Sequence, residues 1–438
     1  MADLHGEGGA QPDMASNSLF DEGGALSDPL ERIAVFSALD SFSQYRKSTH
    51  HRTTHIRRQN LYAMPAAQWQ VLAAPPISIL ETLSNVDDAI DVNADLADRI
   101  LQHGLVSFGL SDRHSNNPDL DWQHKATIND LPKAHSTIRQ FYRDWSREGY
   151  IAEVEPLVDI VVSDLSTHLP LPQPREDIES PRLLLPGAGL GRVLFELALR
   201  GWHATGNEIS YHQLIASNFI LNATQHSEQY TIYPFATTFT NVISRQNQLK
   251  HFAIPDRHPG RALEARDNAA LLIGEMHMTA GDFMLGYSTP CVENKFDGVV
   301  SVFFIDTAPN LIRYIQTVHN CLRKGGVWIN IGPLLWHFDG RDNRDRNDEI
   351  NSGGEKVPGQ EGSDSNSVWE DKGVSEPGSF ELTDEEVLQL VPQFGFEIVK
   401  HEIINRPHGS DEGFGYMQDA SSLLQSRYRC SHWVARKI

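Results

Sequence analysis

The chain is poor in cysteine, in positive charge and in long apolar runs, and each shortage excludes a class of protein. Its three cysteines, Cys291, Cys321 and Cys430, are scattered through 438 residues. No CxxC pair or Cys/His ligand spacing accompanies them, so neither a disulfide framework nor a metal site is expected. Lys and Arg number 37 against 58 Asp and Glu, a formal net charge of −21. Phosphates repel such a chain at range, which argues against nucleic acid or an anionic membrane surface as partner. No apolar stretch approaches the roughly 20 residues that span a bilayer. No basic segment followed by an apolar run opens the sequence, as a secretory signal would. A reducing, soluble compartment is expected: the cytoplasm, with the nucleus also open.

What is present suffices for a large core. The length exceeds the usual single domain, and the apolar fraction of 40% is slightly lean, as expected if part of the chain is disordered. Residues 1–27 are rich in Gly, Ser, Asp and Glu and read as a disordered tail. Residues 28–170 read as a helical region: Phe36, Leu39, Phe42 and Tyr45 recur every three, and Ile79, Leu83, Val86 and Ile90 every three or four. Pro75-Pro76 breaks that region into at least two helices. Between them a basic, histidine-rich stretch from Arg46 to Arg58 has the chemistry to touch phosphate or metal. As a solvated helix face it would instead pack against acidic partners in the same chain, and that reading is preferred. A further helix is expected over Ala134–Ser146, with Ile151–Leu169 in helical register.

An α/β core is predicted over residues 171–438, its first strand starting at Arg182. Leu183-Leu184-Leu185 is an apolar strand, Pro186-Gly187-Ala188-Gly189-Leu190-Gly191 a glycine turn, and Leu194–Leu199 a helix. A second strand follows and ends in Gly206-Asn207-Glu208. Glycine lets the backbone turn sharply beside a ligand, and a carboxylate at the next strand tip can accept both ribose hydroxyls of an adenosine. Downstream, Tyr211–Asn222 reads as a helix, Thr279–Phe283 as a strand end, Phe296–Ile305 as a strand buried on both faces, and Leu311–Leu322 as a helix. Lys324-Gly325-Gly326 reads as that helix's C-terminal turn, and Val327–Ile331 as the next strand. Residues 339–378 read as a flexible acidic and polar insert. Thr383-Asp384-Glu385-Glu386 opens a capped helix, and Glu397–Ile404 and His432–Arg436 close the sheet.

A GxGxG turn alone serves nicotinamide dehydrogenases as well as methyltransferases. Three later features favour methyl transfer: Asp282 at the third strand end, Phe296-Asp297-Gly298-Val299-Val300, and the turn from Leu322 to Val327. Their order is that of a class I S-adenosylmethionine-dependent methyltransferase, with a Rossmann-like sheet. One departure stands out. Many class I members carry an acidic residue where this chain has Leu185, so another segment must grip the amino-acid end of the cofactor. Gln140 and Arg143 are the candidates, since guanidinium binds carboxylate bidentately.

The motifs Gln140–Ser146, Pro186–Gly191, Gly206–Glu208, Ser217–Phe219, Met278–Phe283, Phe303–Ala308 and Trp328–Phe338 resemble the carnosine N-methyltransferase, or N2227-like, family. The resemblance runs from about Phe36 to the C-terminus, outside the insert. It implies a site for S-adenosylmethionine, released as S-adenosylhomocysteine, built from Gln140, Arg143, Gly187, Glu208, Asp282, Phe283 and the backbone of Val302. It also implies that Asp306 and His337 act on an imidazole, with Tyr416 and Tyr428 as an aromatic pair at the substrate. Phe303 and Phe304 are assigned to the core. The implied reaction is methylation of the imidazole of carnosine and related histidine dipeptides, giving anserine. Alternatives are another small histidine peptide or a protein histidine as acceptor, or a regulator that binds S-adenosylmethionine without turnover. The family also implies a homodimer, with the N-terminal helices available to pair subunits.

Overall fold

The fold is that of a computed structural model, described for residues 24–112, 117–172, 179–268, 273–337, 373–375, 379–404 and 413–438. Nine strands are assigned among them: β1 (Arg182–Pro186), β2 (His203–Glu208), β3 (Tyr230–Ile232), β4 (Phe252–Ile254), β5 (Met276–Ala280), β6 (Phe296–Val302), β7 (Leu322–Gly332), β8 (Phe396–Ile404) and β9 (Cys430–Lys437). β3 and β4 form a separate antiparallel pair, and the other seven make one sheet in the order β5-β2-β1-β6-β7-β9-β8. β1 pairs in parallel with both β2 and β6, while β9 runs antiparallel to both β7 and β8. The direction of winding reverses between β1 and β6, and such a switch point opens a crevice beyond the strands' carboxyl ends.

Local chemistry accounts for most elements. The Pro29–Ser43 helix starts where the Asp28 carboxylate accepts the Leu30 and Glu31 amides, with proline at its first position. The Asp384–Leu390 helix carries the expected capping box between Thr383 and Glu386. β1 is apolar on both faces, as a central parallel strand must be, and Leu183, Leu184 and Leu185 are buried. Helices and sheet share one hydrophobic core that joins Phe36, Phe42, Ile100 and Phe141 to Leu183, Leu194 and Ile331. The N-terminal helices are thus packed as part of the sheet's own surroundings.

The basic stretch takes its plainer role. Arg46 bonds Asp95 at 2.7 Å and Asp98 at 3.2 Å, His50 lies 2.8 Å from Asp87 and 3.0 Å from Asp91, and Arg58 bonds Asp87 at 2.6 Å. These carboxylates lie on one face of the Ile79–Ser107 helix, three and four residues apart.

Several expectations need correction. The Leu311–Cys321 helix ends before Leu322, which already belongs to β7. Leu322 pairs with Phe296 and Val327 with Gly298, so the four residues Arg323–Gly326 stand opposite Asp297 alone and bulge from the strand rather than cap a helix. β6 stops at Val302 because Phe303 turns to a φ of +54°. The α-helix at Tyr211 ends at Asn218 and continues as a π turn over Phe219–Ala223. The expected tail lies largely outside the described residues, but Gly24–Ser27 is helical. Most of the 339–378 insert also lies outside them. Its Gly373–Ser375 segment is a 3-10 turn, and Val374 packs against the cluster that contains Phe283 and Tyr287.

Candidate active site

A cleft continuous with solvent lies at the switch point between β1 and β6. β1 contributes Leu185 and Pro186, the glycine turn Gly187, Ala188 and Gly189, and β6 Val300 and Val302. Gln140, Arg143 and Asp144 enter from the Leu131–Trp145 helix, and Tyr416 from a C-terminal loop. Gln140, Arg143, Gly187, Val302 and Tyr416, distant in sequence, thus meet at one cavity.

The glycine turn owes its shape to three left-handed residues, with φ of +68° at Gly187, +57° at Gly189 and +77° at Gly191. A Cβ on Gly187 would lie 2.6 Å from the Phe304 ring, whereas one on Gly189 would meet no atom within 4 Å. The turn therefore packs on the core at one glycine and faces open space at the next. Glu208, at the tip of β2, accepts the Gly189 amide and the Ser210 amide, each at 2.9 Å. Burial pushes its carboxyl above the ordinary range, and those backbone donors, with that of Ile209, oppose the shift.

The Leu131–Trp145 helix is bolted to this turn. The Trp145 indole donates to Leu190 O at 3.1 Å, and Arg192 donates to Asp144 O at 2.9 Å. Arg192 itself is buried between Glu196 at 3.0 Å and Asp256 at 2.6 Å. Arg143 bonds Asp144 Oδ1 at 2.7 Å and lies 3.9 Å from Glu153, while its buried Nε makes no hydrogen bond. Its guanidinium sits 4.9 Å from the Tyr416 ring centre. Gln140 donates to the Tyr416 hydroxyl at 3.0 Å, and its carbonyl is held by Gln213.

Phe303 is half-buried: it packs against the core and also forms a wall of the cleft, a role the sequence assignment did not include. Its left-handed backbone swings the ring outward, where it stacks on Tyr416 at 5.5 Å and meets Tyr428 edge-on at 6.0 Å. Phe304 stays in the core as expected. Nothing local in the sequence announces a positive φ at a phenylalanine.

The remaining predicted residues surround the cleft without lining it. Both Asp282 oxygens accept backbone amides: Oδ1 that of Met284 at 2.8 Å and of Leu285 at 3.3 Å, and Oδ2 that of Val374 at 2.7 Å. Phe283 is buried against Tyr287, Phe304 and Tyr314. Asp306, just beyond β6, is 3% exposed; its Oδ2 accepts the Leu335 amide at 3.0 Å, and its carbonyl accepts the His337 amide at 2.9 Å. The Pro333–His337 segment is thereby wrapped over Asp306, with His337 itself exposed. Burial raises the Asp306 carboxyl above its ordinary value, against the pull of the Leu335 amide and the His337 charge. Burial and this same carboxylate push the Cys430 thiol up to about 12.

Three residues of the site escaped the sequence reading. Asp144 was visible only as the neighbour of Arg143, and Arg192 only as part of the glycine turn. Glu153 carried no signal, because its partners, the Met417 and Gln418 amides at 2.7 Å, lie far along the chain.

A dinucleotide-binding sheet ends its strand order in 3-2-1-4-5-6. Here the seven sheet strands, counted along the chain, run 3-2-1-4-5-7-6 with the seventh antiparallel. That order, with the glycine turn and the acidic tip of β2, defines a class I methyltransferase. Residues 120–438 match the family model described as Carnosine N-methyltransferase, and the chain belongs to that family. It is 31% identical to the Carnosine N-methyltransferase of Schizosaccharomyces pombe, over 93% of this chain and 96% of that protein. The Mus musculus protein of the same name is 30% identical over 93% of this chain and 87% of its own length. Carnosine N-methyltransferase unmet of Drosophila melanogaster is 33% identical over 70% of this chain and 55% of that protein.

Proposed function

We propose that this protein transfers a methyl group from S-adenosylmethionine to the imidazole of carnosine and related histidine dipeptides, giving anserine. The observation that carries the reading is the meeting of Gln140, Arg143, Gly187, Val302 and Tyr416 at one cleft in a chain of this family. The cleft suits the cofactor: Gly189 faces open space, the Arg143 Nε donates no hydrogen bond, and Glu208 stands behind the turn. Glu208 would take the ribose hydroxyls and Asp282 the adenine edge, with Phe283 beside it and Val302 contributing mainly through its backbone. Arg143 and Gln140 would hold the amino-acid end. Bound there, S-adenosylmethionine supplies an electrophilic methyl group.

A neutral imidazole has one lone-pair nitrogen and one N–H. Asp306 accepts that N–H, which aims the lone pair at the methyl and fixes the tautomer. Alkylation makes the ring cationic, and the carboxylate stabilises the charge as it develops. The ring proton then leaves through Asp306, with His337 beside it as relay or orienting group. Tyr416, Phe303 and Tyr428 form the aromatic wall for the ring. Because Asp306 lies beneath Leu335, this role requires the Pro333–His337 segment to leave one carboxylate face accessible to the substrate.

We further propose a cytoplasmic protein, with the nucleus also open to it, and a homodimer paired through its N-terminal helices. The Ala66–Ala73 helix, which buries none of its residues, is a surface available for such pairing.

Methyl transfer to carnosine, Gly-His and a histidine-containing peptide, measured side by side with Asp306→Asn, tests this reading. Carnosine should be the best acceptor, and the variant should lose roughly 10²- to 10⁴-fold in kcat while retaining S-adenosylhomocysteine affinity. Absence of transfer to all three acceptors, or full activity of the variant, overturns it.

A further inference from the structure

The amino-acid end of the cofactor is a zwitterion, and it needs an anion for its ammonium as well as a cation for its carboxylate. The tip of β1 offers none, because Leu185 is apolar and lines the cleft. We infer that Asp144 is the ammonium ligand, placed on the neighbouring helix in lieu of an acidic residue on the strand. This inference rests on the proposed cofactor site.

Four observations converge on Asp144. It lines the same cleft as Arg143, Leu185 and Gly189, although it is only 5% exposed. Its two oxygens are used unequally: Oδ1 accepts the Arg143 guanidinium at 2.7 Å, and no hydrogen bond reaches Oδ2 from the described residues. The other cleft cation, Arg192, does not serve this carboxylate with a hydrogen bond. It binds the Asp144 backbone carbonyl and spends its charge on Glu196 and Asp256. Arg143 in turn has a second carboxylate, Glu153, at 3.9 Å, so its charge is shared.

Placement agrees with chemistry. Glu208 and Asp282 stand at the tips of β2 and beyond β5, on one side of β1, where the nucleoside is assigned. Arg143 and Asp144 share the cleft with Leu185 of β1 and Val302 of β6, and the Arg143 guanidinium lies 6.0 Å from the ring of Phe303, just beyond β6. Adjacent on one helix end, they present a cation and an anion together, the complement of an α-amino acid. The helix end is rigid, being tied to Leu190 by Trp145 and to Arg192 by the Asp144 carbonyl. A carboxylate held in so fixed a place binds an ammonium without reorganising. Burial also raises the Asp144 carboxyl above its ordinary range, with Arg143 and Arg192 opposing, and a bound ammonium would hold it ionised.

Calorimetric titration of the full chain with S-adenosylhomocysteine and with its deamino analogue tests the assignment, independently of turnover. The wild type should prefer the amino form by roughly 10- to 100-fold, the range of a charged hydrogen bond. Asp144→Asn should lose most of that preference and bind the deamino analogue within about threefold of wild type. Asp144→Glu, which keeps the charge, should restore part of it. Equal weakening of both ligands by Asp144→Asn would mean a merely structural role and overturns the inference. Should that variant fail to fold, the wild-type comparison decides: equal affinity for the two ligands overturns the inference while leaving the proposed function intact. If the wild type binds neither ligand, the proposed function falls and takes the inference with it.

Discussion

Glu153 accepts the backbone amide of Met417 at 2.7 Å, joining positions 264 residues apart. Its other oxygen accepts the Gln418 amide at 2.7 Å, and Arg139 donates to the Met417 carbonyl at 3.0 Å. Met417 has a φ of +51°, so this turn needs external anchors to persist. It carries Tyr416, whose ring covers Arg143 and stacks on Phe303. One buried carboxylate on the N-terminal side thus sets the aromatic wall of the cleft.

Replacing Glu153 should separate binding from chemistry. Glu153→Gln keeps one acceptor oxygen, so it should raise the KM for carnosine by roughly three- to tenfold with little change in kcat. Glu153→Ala leaves two amides without acceptors and should cost about 2–4 kcal/mol in denaturant unfolding. A fall in kcat at constant KM in the Gln variant would detach Tyr416 from substrate binding.

The glycine turn yields a paired prediction. Alanine at Gly187 or Gly189 costs about 1–2 kcal/mol for the left-handed backbone alone. Only at Gly187 does the added carbon also strike Phe304. Gly189→Ala should therefore remain folded yet weaken S-adenosylhomocysteine binding by at least about tenfold, because its methyl projects into the cleft. Gly187→Ala should melt lower than Gly189→Ala. Reversed melting temperatures would contradict the packing.

Asp306 makes a prediction about pH. Its carboxyl is raised above the ordinary value of about 3.9 by burial, and in its proposed role it must be ionised to stabilise the imidazolium and take its proton. The acid limb of the kcat profile should then lie above the ordinary carboxylate range. Replacing His337 with Gln removes a nearby positive charge that favours the ionised form, so the limb should move to higher pH, whatever happens to the maximal rate. A raised folded-state pKa also means that the ionised carboxylate costs stability, more so as pH rises through that value. Asp306→Asn should accordingly match or exceed the wild type in melting temperature at pH 7. A lower melting point, or a limb that moves toward acid, would refute this account.

Asp87 has the opposite sign. Burial disfavours its charge, but hydrogen bonds from Arg58, Thr54 and His50 outweigh burial and hold the carboxyl below its ordinary range. The stability it contributes is present above the unfolded value of about 3.9 and is lost as pH falls through the folded one. Because the pair is partly solvated, the contribution should be only about 1 kcal/mol. Asp87→Asn should lower stability at pH 7 by that amount, and its stability should decline less steeply than the wild type's below pH 4. Identical acid-unfolding curves would count against the network.

Much of the sheet and part of the site were legible from residues close together in sequence. The run from Leu183 to Gly191 announces a strand and a turn, since only glycine takes three positive φ values so cheaply. Thr383 and Glu386 announce a helix start because both halves of the capping box lie within one turn. The bulge at Arg323–Gly326 was misread for a related reason: a Lys-Gly-Gly segment suits a helix end and a strand irregularity equally. Only the pairing of Leu322 with Phe296 decides between them. The left-handed turn at Phe303 was invisible, because its cause lies in the surrounding packing rather than in its own side chain.

By itself the sequence determined whatever short-range sterics and hydrogen bonding control: the glycine turn, the helix caps and the apolar strands. Its long motifs also determined the family. The tertiary structure alone decided that Asp282 meets Val374, that Asp306 lies under Leu335, that Glu153 holds Met417, and that Asp144 opens onto the cleft. Those contacts join segments separated by tens to hundreds of residues, or depend on which way a helix end faces. Side-chain chemistry states what each group can bind, but only closure of the chain around a common core determines which partner arrives.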